Sequence, residues 1–354
     1  MSEMPDINNI RITPQMLAVI AELDEFKGAW TGFARLRPEQ LKALEKVSTI
    51  ESIGSSNRIE GNKLSDKEVE KLLSCIDTKS FDSRDEEEVA GYAKLMEMIF
   101  GDYSVIPLSE NYLKQLHQIL LRYAVKDEKH RGEYKKLSNA VAAYDPEGKE
   151  IGVVFETATP FDTPRLMEEL VEWTRKNLDD PLPHPLIVIG VFIVRFLAIH
   201  PFQDGNGRLS RALTALLLLK KGYAYIPYAS IEAVIEANKK GYYRALRRTQ
   251  ANIWSDQADY EPWLSFFLTT LQKQKRHLES KIAVMADDDA KLSRNQRAIL
   301  GLFDDRPEWT SPEIAAALDM NIETTKKNLK FLVDGGYLLK RGVTKGAWYE
   351  KAGN

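Results

Sequence analysis

Residues 186–219 constrain the fold more than any other stretch. LIVIGVFIVRFLAI, 14 residues interrupted only by Arg195, is followed by HPFQDGNGRLSR and then by LSRALTALLLL. Two segments this apolar, each long enough for three or more helical turns, must both be buried. The first is too short to span a bilayer and reads as a core helix. The chain is therefore expected to be mainly α, built around a buried helix pair joined by a polar, glycine-containing loop.

The flanking sequence agrees. TPQMLAVIAELDEFKGAW and RPEQLKALEKVSTIESI repeat apolar residues at three- and four-residue spacing, with Pro38 where a first turn tolerates it. LSDKEVEKLLSCI opens on Ser65 and Glu68, a capping-box spacing that predicts a helix start. Cys75 in that segment is expected on the helix's apolar face as a buried filler. The acidic run DEEE, residues 85–88, predicts a solvated helix start. AVAAYDPEGKEIGVVFETATP, residues 140–160, breaks the helical pattern: a turn at Asp145, Pro146 and Gly148 precedes alternating, β-rich residues, which predicts a hairpin. Two strands alone are barely stable, so the hairpin invites a functional explanation.

A polar stretch, MADDDAKLS at 285–293, is the expected domain boundary. Beyond it the order is helix, a second helix capped at Ser311 with Pro312 at its first position, a third ending at Gly335 and Gly336, then two strands around GVTKG. That is the order of a winged helix-turn-helix. From Ala290 onward 11 Lys and Arg face 8 Asp and Glu, whereas the whole chain has net charge −3. Thr324, Thr325, Lys326, Lys327 and Lys330 fall on the third helix, and Lys340, Arg341 and Lys345 on the wing. DNA or a protein is the expected partner of this unit. A net charge near zero supplies no global attraction to nucleic acid or membrane. With one cysteine there is neither an intrachain disulfide nor a cysteine-based metal cluster. MSEMPDINNIRITPQ lacks the basic start and apolar stretch of a signal peptide, and a soluble, cytoplasmic protein is expected.

The loop itself carries chemistry. Gly205 and Gly207 let backbone approach a ligand, and the loop opens a helix whose free N–H groups form an anion site. Arg208 and Arg211 add charge on one side of the first turn. An acid inside a phosphate site, Asp204, suits a shared Mg²⁺, and His200 suits a general base. Phosphoryl or nucleotidyl transfer fits the set. No Walker-type loop is present.

HPFQDGNGRLSR, without departure, resembles the signature of Fic-domain proteins, and the resemblance extends over roughly residues 50–270. It implies an all-helical Fic domain with a small β-hairpin flap, to which the element order after residue 285 adds the C-terminal winged helix. It also implies AMPylation, the passage of AMP from ATP to a Tyr, Thr or Ser hydroxyl of a target protein with Mg²⁺. By position, His200 would be the base, Phe202 the loop's core anchor and Asp204 the metal ligand. Asn206, Arg208, Gly205 and Gly207 would bind the α- and β-phosphates, and Arg211 the γ-phosphate. Tyr242, Tyr243 and Gln250 would line the adenine pocket. The 140–160 hairpin would dock the target as an added strand, with Val153, Val154 and Phe155 near the nucleotide. SSNRIEGN resembles the family's inhibitory pattern at Ser56, Glu60 and Gly61, in which the glutamate blocks the second arginine, here Arg211. The expected regions are 1–110, carrying the inhibitory helix at about 50–62, then a catalytic domain at 111–284 and the winged helix at 285–354. Homodimer formation is left open. The alternatives are removal of AMP from a modified target, another transfer on the same fold, or a DNA-binding regulator that senses nucleotide. The remaining histidines, His117, His130, His184 and His277, show no metal-ligand spacing.

Overall fold

A computed structural model describes residues 4–30, 38–76, 80–144, 150–342 and 347–352. The chain divides into two compact units, 1–278 and 279–354.

The larger unit is helical. In order it holds α1 (Pro14–Trp30), α2 (Pro38–Ile59), α3 (Asp66–Leu73), α4 (Arg84–Asp102) and α5 (Glu110–Leu120). The hairpin strands β1 (Ala140–Tyr144) and β2 (Glu150–Glu156) follow. Next come α6 (Thr163–Asp179), α7 (Pro185–Ile199), α8 (Asn206–Lys220), α9 (Ile231–Ala237), α10 (Lys239–Gln250) and the first part of α11 (Glu261–Lys291), whose later residues belong to the second unit. Every residue of α7 from Leu186 to Ile199 is buried, as is α8 from Arg208 to Leu219. Each fully buried Leu, Ile, Val or Phe side chain contributes roughly 1.5–3 kcal/mol, so this pair is the core on which the other helices are laid. Arg195, the one charge in the run, is also buried: its Nε donates to the Tyr260 hydroxyl at 2.7 Å and the guanidinium lies over the Trp254 ring.

The capping box at Ser65 and Glu68 closes in both directions. Cys75, expected on the apolar face of α3, lies past the helix end and is half-buried, because the helix stops at Leu73. Strands β1 and β2 pair antiparallel from Ala140↔Glu156 to Tyr144↔Glu150, with two register shifts. The turn residues Asp145, Pro146 and Gly148 lie outside the described residues. The polar stretch at 285–293 is not a break throughout: α11 continues to Lys291, since Ala, Asp and Lys tolerate a helix and neither Gly nor Pro intervenes.

In the second unit α12 (Arg294–Asp305), α13 (Ser311–Ala317) and α14 (Ile322–Asp334) pack around Ile299, Phe303, Ile314, Leu329 and Leu332. Strands β3 (Glu308–Thr310), β4 (Leu338–Arg341) and β5 (Trp348–Lys351) form an antiparallel sheet in the order β3-β5-β4. The short β3 was not expected. Thr310, rather than Ser311, caps α13, in a capping box with Glu313. Thr325 is fully buried and its hydroxyl donates to the Asn321 carbonyl, so it is not part of the exposed face of α14. Lys345 lies outside the described residues.

Candidate active site

Helix α7 ends in an unusual way. His200 follows Ile199 in the left-handed region (φ 53°, ψ 60°), and its N–H donates to the Phe196 carbonyl at 2.8 Å. Glycine normally occupies that cap, and a β-carbon there is strained. The chain then turns through a loop that braces itself. The Phe202 N–H donates to Asn206 Oδ1 at 2.9 Å, and Asn206 Nδ2 donates to the Phe202 carbonyl at 2.7 Å. Gly205, at φ 79°, caps α8. The first backbone bond of α8 runs from the Leu209 N–H to the Gly205 carbonyl, which leaves the amides of 206–208 at the helix's positive end uncommitted by backbone.

Two arginines stand behind this turn. Arg208 is only 2% exposed; its Nη1 lies 3.3 Å from Glu88 Oε2 and its Nη2 3.4 Å from Asp204 Oδ2. Arg84 reaches the same Asp204 oxygen at 3.0 Å and pairs with Glu88 at 2.8 Å. Burial pushes the Asp204 carboxyl up in pKa, but Arg208, the Gly205 N–H and Arg84 outweigh it, and the net shift is downward. Asp204 is ionised at neutral pH. Arg211 is 4% exposed and is held by Ser56, through Oγ at 2.9 Å and the carbonyl at 2.8 Å, and by Glu60 Oε1 at 2.9 Å. Burial opposes its charge, but Glu60, Tyr242 and Tyr92 favour it more, and its pKa is raised.

Glu60 is delivered by the end of α2. The helix stops at Ile59, the Glu60 and Gly61 N–H groups close the last turn onto Asn57 and Arg58, and Gly61 turns the chain at φ 101°. Only glycine takes that angle without strain, so Gly61 sets the exit that leaves Glu60 facing α8. The α2 terminus is pinned by Arg58, which donates to both Glu236 oxygens and to Asp66. The Glu60 carboxylate lies against Gly207 so closely that a β-carbon there would collide with it. A side chain at 207 would therefore displace the Glu60 carboxylate.

A cleft of about 120 Å³ lies in front of the loop, lined by Glu60, His200, Asp204, Gly205, Asn206, Gly207, Arg208, Tyr242 and Tyr243, among others. Nine expected site residues therefore share one cavity. Arg211 does not line it but meets Glu60 from behind. Gln250, expected in the adenine pocket, is buried on α10 outside the cleft wall, and its amide has no partner among the described residues. The Asn206 amide, expected on phosphate, is spent on the Phe202 backbone, so its backbone N–H is the group left for a ligand. The side chains of Val153, Val154 and Phe155 lie outside the described residues.

The sequence reading missed three contributors. His117 is fully buried and stacks on Phe202 (centroids 3.8 Å apart, planes at 8°). The Gly132 N–H donates to its Nδ1 at 2.9 Å, so Nε2 carries the proton and donates to the Asp204 carbonyl at 3.0 Å. Burial, opposed mainly by that carbonyl, lowers its pKa to about 4. Glu88, read as part of a solvated run, turns inward, and Arg84 precedes it by one turn. The i,i+4 spacing of Arg84 and Glu88 was the only signal available. His184 caps α7 and pairs with Asp24, and His130 pairs with Asp127. No group of three or more His, Cys, Asp or Glu able to hold a metal occurs among the described residues.

His200 Nδ1 lies 3.2 Å from the Leu197 carbonyl, which can only accept, so Nδ1 holds the proton and Nε2 has the free lone pair. Burial first, partly countered by Leu197, lowers the His200 pKa to about 4, with Lys135 adding to the fall and Glu60 and Asp204 opposing it. The imidazole is neutral at physiological pH, with Nε2 unprotonated and able to accept a proton.

Residues 107–218, from before α5 to the end of α8, match the Fic/DOC family. The chain carries a Fic domain. It is 25% identical over 260 residues to the protein adenylyltransferase Fic of Drosophila grimshawi, covering 72% of this chain and 47% of that protein. It is 30% identical over 190 residues to the protein adenylyltransferase Fic of Culex quinquefasciatus, covering 52% and 34% respectively. The chain thus spans less than half the length of these curated relatives. Among solved structures, a Fic family protein from Desulfovibrio desulfuricans is similar over 97% of this chain and 98% of that one (25% identity, TM-score 0.63). A Fic domain-containing signaling protein from Bacteroides thetaiotaomicron is similar over 74% of this chain and 96% of its own (26% identity, TM-score 0.60). The matched residues hold the whole HPFQDGNGRLSR loop; Glu60, Tyr242 and Tyr243 lie outside them. No described helix is long and apolar enough to cross a membrane.

Proposed function

We propose that this chain is a protein adenylyltransferase, moving AMP from ATP to a Tyr, Thr or Ser hydroxyl of a target protein, and that Glu60 restrains it at rest. The observation that carries the reading is the Glu60–Arg211 ion pair, whose Glu60 lines a cleft together with a neutral histidine and a helix N-terminus. In the reaction, the target hydroxyl oxygen attacks the α-phosphorus. The bond from that phosphorus to the bridging oxygen of pyrophosphate breaks, and the hydroxyl proton passes to His200 Nε2. The free amides of 206–208 and the Arg208 guanidinium, whose Nε has no acceptor among the described residues, would hold the phosphates. Asp204, a single ionised carboxylate, would hold Mg²⁺, and the ion would neutralise phosphate charge. Tyr242 and Tyr243, which line the cleft, would contact adenine.

The cleft is smaller than the roughly 300–1,000 Å³ of ordinary small-molecule sites, which accords with a carboxylate standing inside it. The hairpin has open strand edges among the described residues, and a target segment would add as a third strand. Because Glu60 is a wall of the cleft, the same site could orient water for removal of AMP from a modified target; Glu60→Gly would then lose activity. We also read the C-terminal unit as a winged helix that docks DNA or a protein, with Lys327, Lys330 and Lys340 exposed for contact. Lys326 and Arg341 are engaged by Glu323 and Glu350. Incubating Glu60→Gly with Mg²⁺ and ATP and weighing the intact protein and candidate targets tests the reading. A gain of one adenylyl group is expected, and a phosphoryl gain would point to a different transfer.

A further inference from the structure

Lys135 lies between α5 and β1 and is 3% exposed, yet no carboxylate pairs with it among the described residues. Its ammonium donates three bonds of 2.9 Å: to the Ile199 carbonyl, to Asn139 Oδ1 and to Thr157 Oγ1. Its backbone N–H donates to the Pro201 carbonyl at 2.8 Å. One residue thus grips the peptides on both sides of His200. The remaining two acceptors belong to the hairpin's stems, since Asn139 immediately precedes β1 and Thr157 immediately follows β2. Those stems are tied to each other and to the loop: Thr157 Oγ1 donates to the Asn139 carbonyl at 2.6 Å, and Asn139 Nδ2 donates to the Phe202 carbonyl at 2.9 Å.

Burying an unpaired charge destabilises a fold, and a methionine of similar length would fill the space without that cost. Burial alone lowers the lysine's pKa to about 8. Packing therefore does not account for a lysine here, whereas the strained His200 backbone needs surroundings that over-determine it.

We infer that Lys135 is a positioning residue: it fixes the peptides flanking His200 and locks that frame to both stems of the hairpin, so that base and docked target keep one register. This rests on the adenylyltransferase reading for its effect on rate, though not for its effect on the hairpin. A misplacement near 1 Å can cost about 100-fold.

The test uses the full chain in the Glu60→Gly background. Lys135→Met should lower turnover on a protein target about 10- to 100-fold, while nucleotide affinity changes less than about twofold, because the groups proposed to hold the phosphates sit on α8. Hydrogen exchange of the 140–156 amides should quicken, with that of α8 unchanged. Thr157→Val should show both effects more weakly, and the double variant should be no worse than Lys135→Met alone. Unchanged turnover and exchange in a folded Lys135→Met protein would overturn the inference, as would equal loss of nucleotide affinity and turnover. If Lys135→Met does not fold, Thr157→Val decides: unchanged turnover and exchange in it sink the idea. If Glu60→Gly transfers nothing, the functional reading fails, and the exchange measurement still decides whether Lys135 holds the hairpin.

Discussion

Replacing Glu60 with glycine should release the proposed transfer activity. Glu60 Oε1 and Arg211 Nη2 are 2.9 Å apart, with side-chain exposures of 34% and 4%. At an effective dielectric near 20 the bare attraction at that distance is roughly 6 kcal/mol, an upper bound that desolvation and screening reduce. A charge-assisted hydrogen bond of about 1.5–3 kcal/mol is the better measure of what the pair withholds from a phosphate. Returned to the nucleotide, it changes the productive population by about 10- to 100-fold. The backbone cost is small: Glu60 lies one residue past the helix end and is not in a left-handed conformation, so glycine there costs at most about 1 kcal/mol. Removing the carboxylate also clears the space before Gly207. Initial rates of AMP incorporation, at fixed Mg²⁺ and varied ATP, read the effect, and Glu60→Gln separates charge from bulk. Adding His200→Ala should silence the released activity. Arg211→Ala should not mimic Glu60→Gly, because it removes the phosphate contact together with the block. An unchanged or lower rate in a folded Glu60→Gly protein would falsify the inhibitory role.

Four further outcomes are expected. His200→Ala should cut transfer by about 10²–10⁴ with nucleotide affinity nearly intact, whereas Arg208→Ala should weaken affinity too; equal binding losses would make His200 structural. His117 is held neutral with a folded pKa of about 4 against about 6.5 unfolded, so the unfolded chain takes up its proton first as pH falls. Stability present above pH 6.5 should therefore decline by about 3 kcal/mol down to pH 4, and urea melts of His117→Asn should lack that contribution. Deleting 144–150 should leave nucleotide binding and abolish modification of a protein target; unchanged modification would refute target docking on the hairpin. Binding of the chain to duplex DNA should weaken with salt by a log–log slope of about −0.9 per phosphate contact, and no salt-dependent affinity for any duplex would favour a protein partner.

The loop and its two helices were legible because chemistry and burial are both local there: an apolar run, a fixed spacing of Gly, Asp and Arg, then a second apolar run. Glu60 was legible as a five-residue pattern, but its placement depends on Gly61 and on Arg58 reaching α9, which no spacing reveals. His117, Glu88 and Lys135 were hidden for a common reason. Each acts on the loop from more than 60 positions away in sequence, through contacts made by the tertiary fold. His117 sits in an amphipathic helix where a histidine has many uses, and Lys135 in an irregular segment where a lysine reads as solvated. The bracing role of the Asn206 amide was not legible because a polar side chain in a ligand loop is as readily spent on bracing the loop as on the ligand.

Two incubations of the Glu60→Gly protein with a target lysate, one with ATP labelled at the α-phosphate and one at the γ-phosphate, test the central claim most directly. Label entering protein from the α position alone, and lost with His200→Ala, is the predicted result. Label from the γ position, or none from either in a protein that binds ATP, would contradict adenylyl transfer at this site.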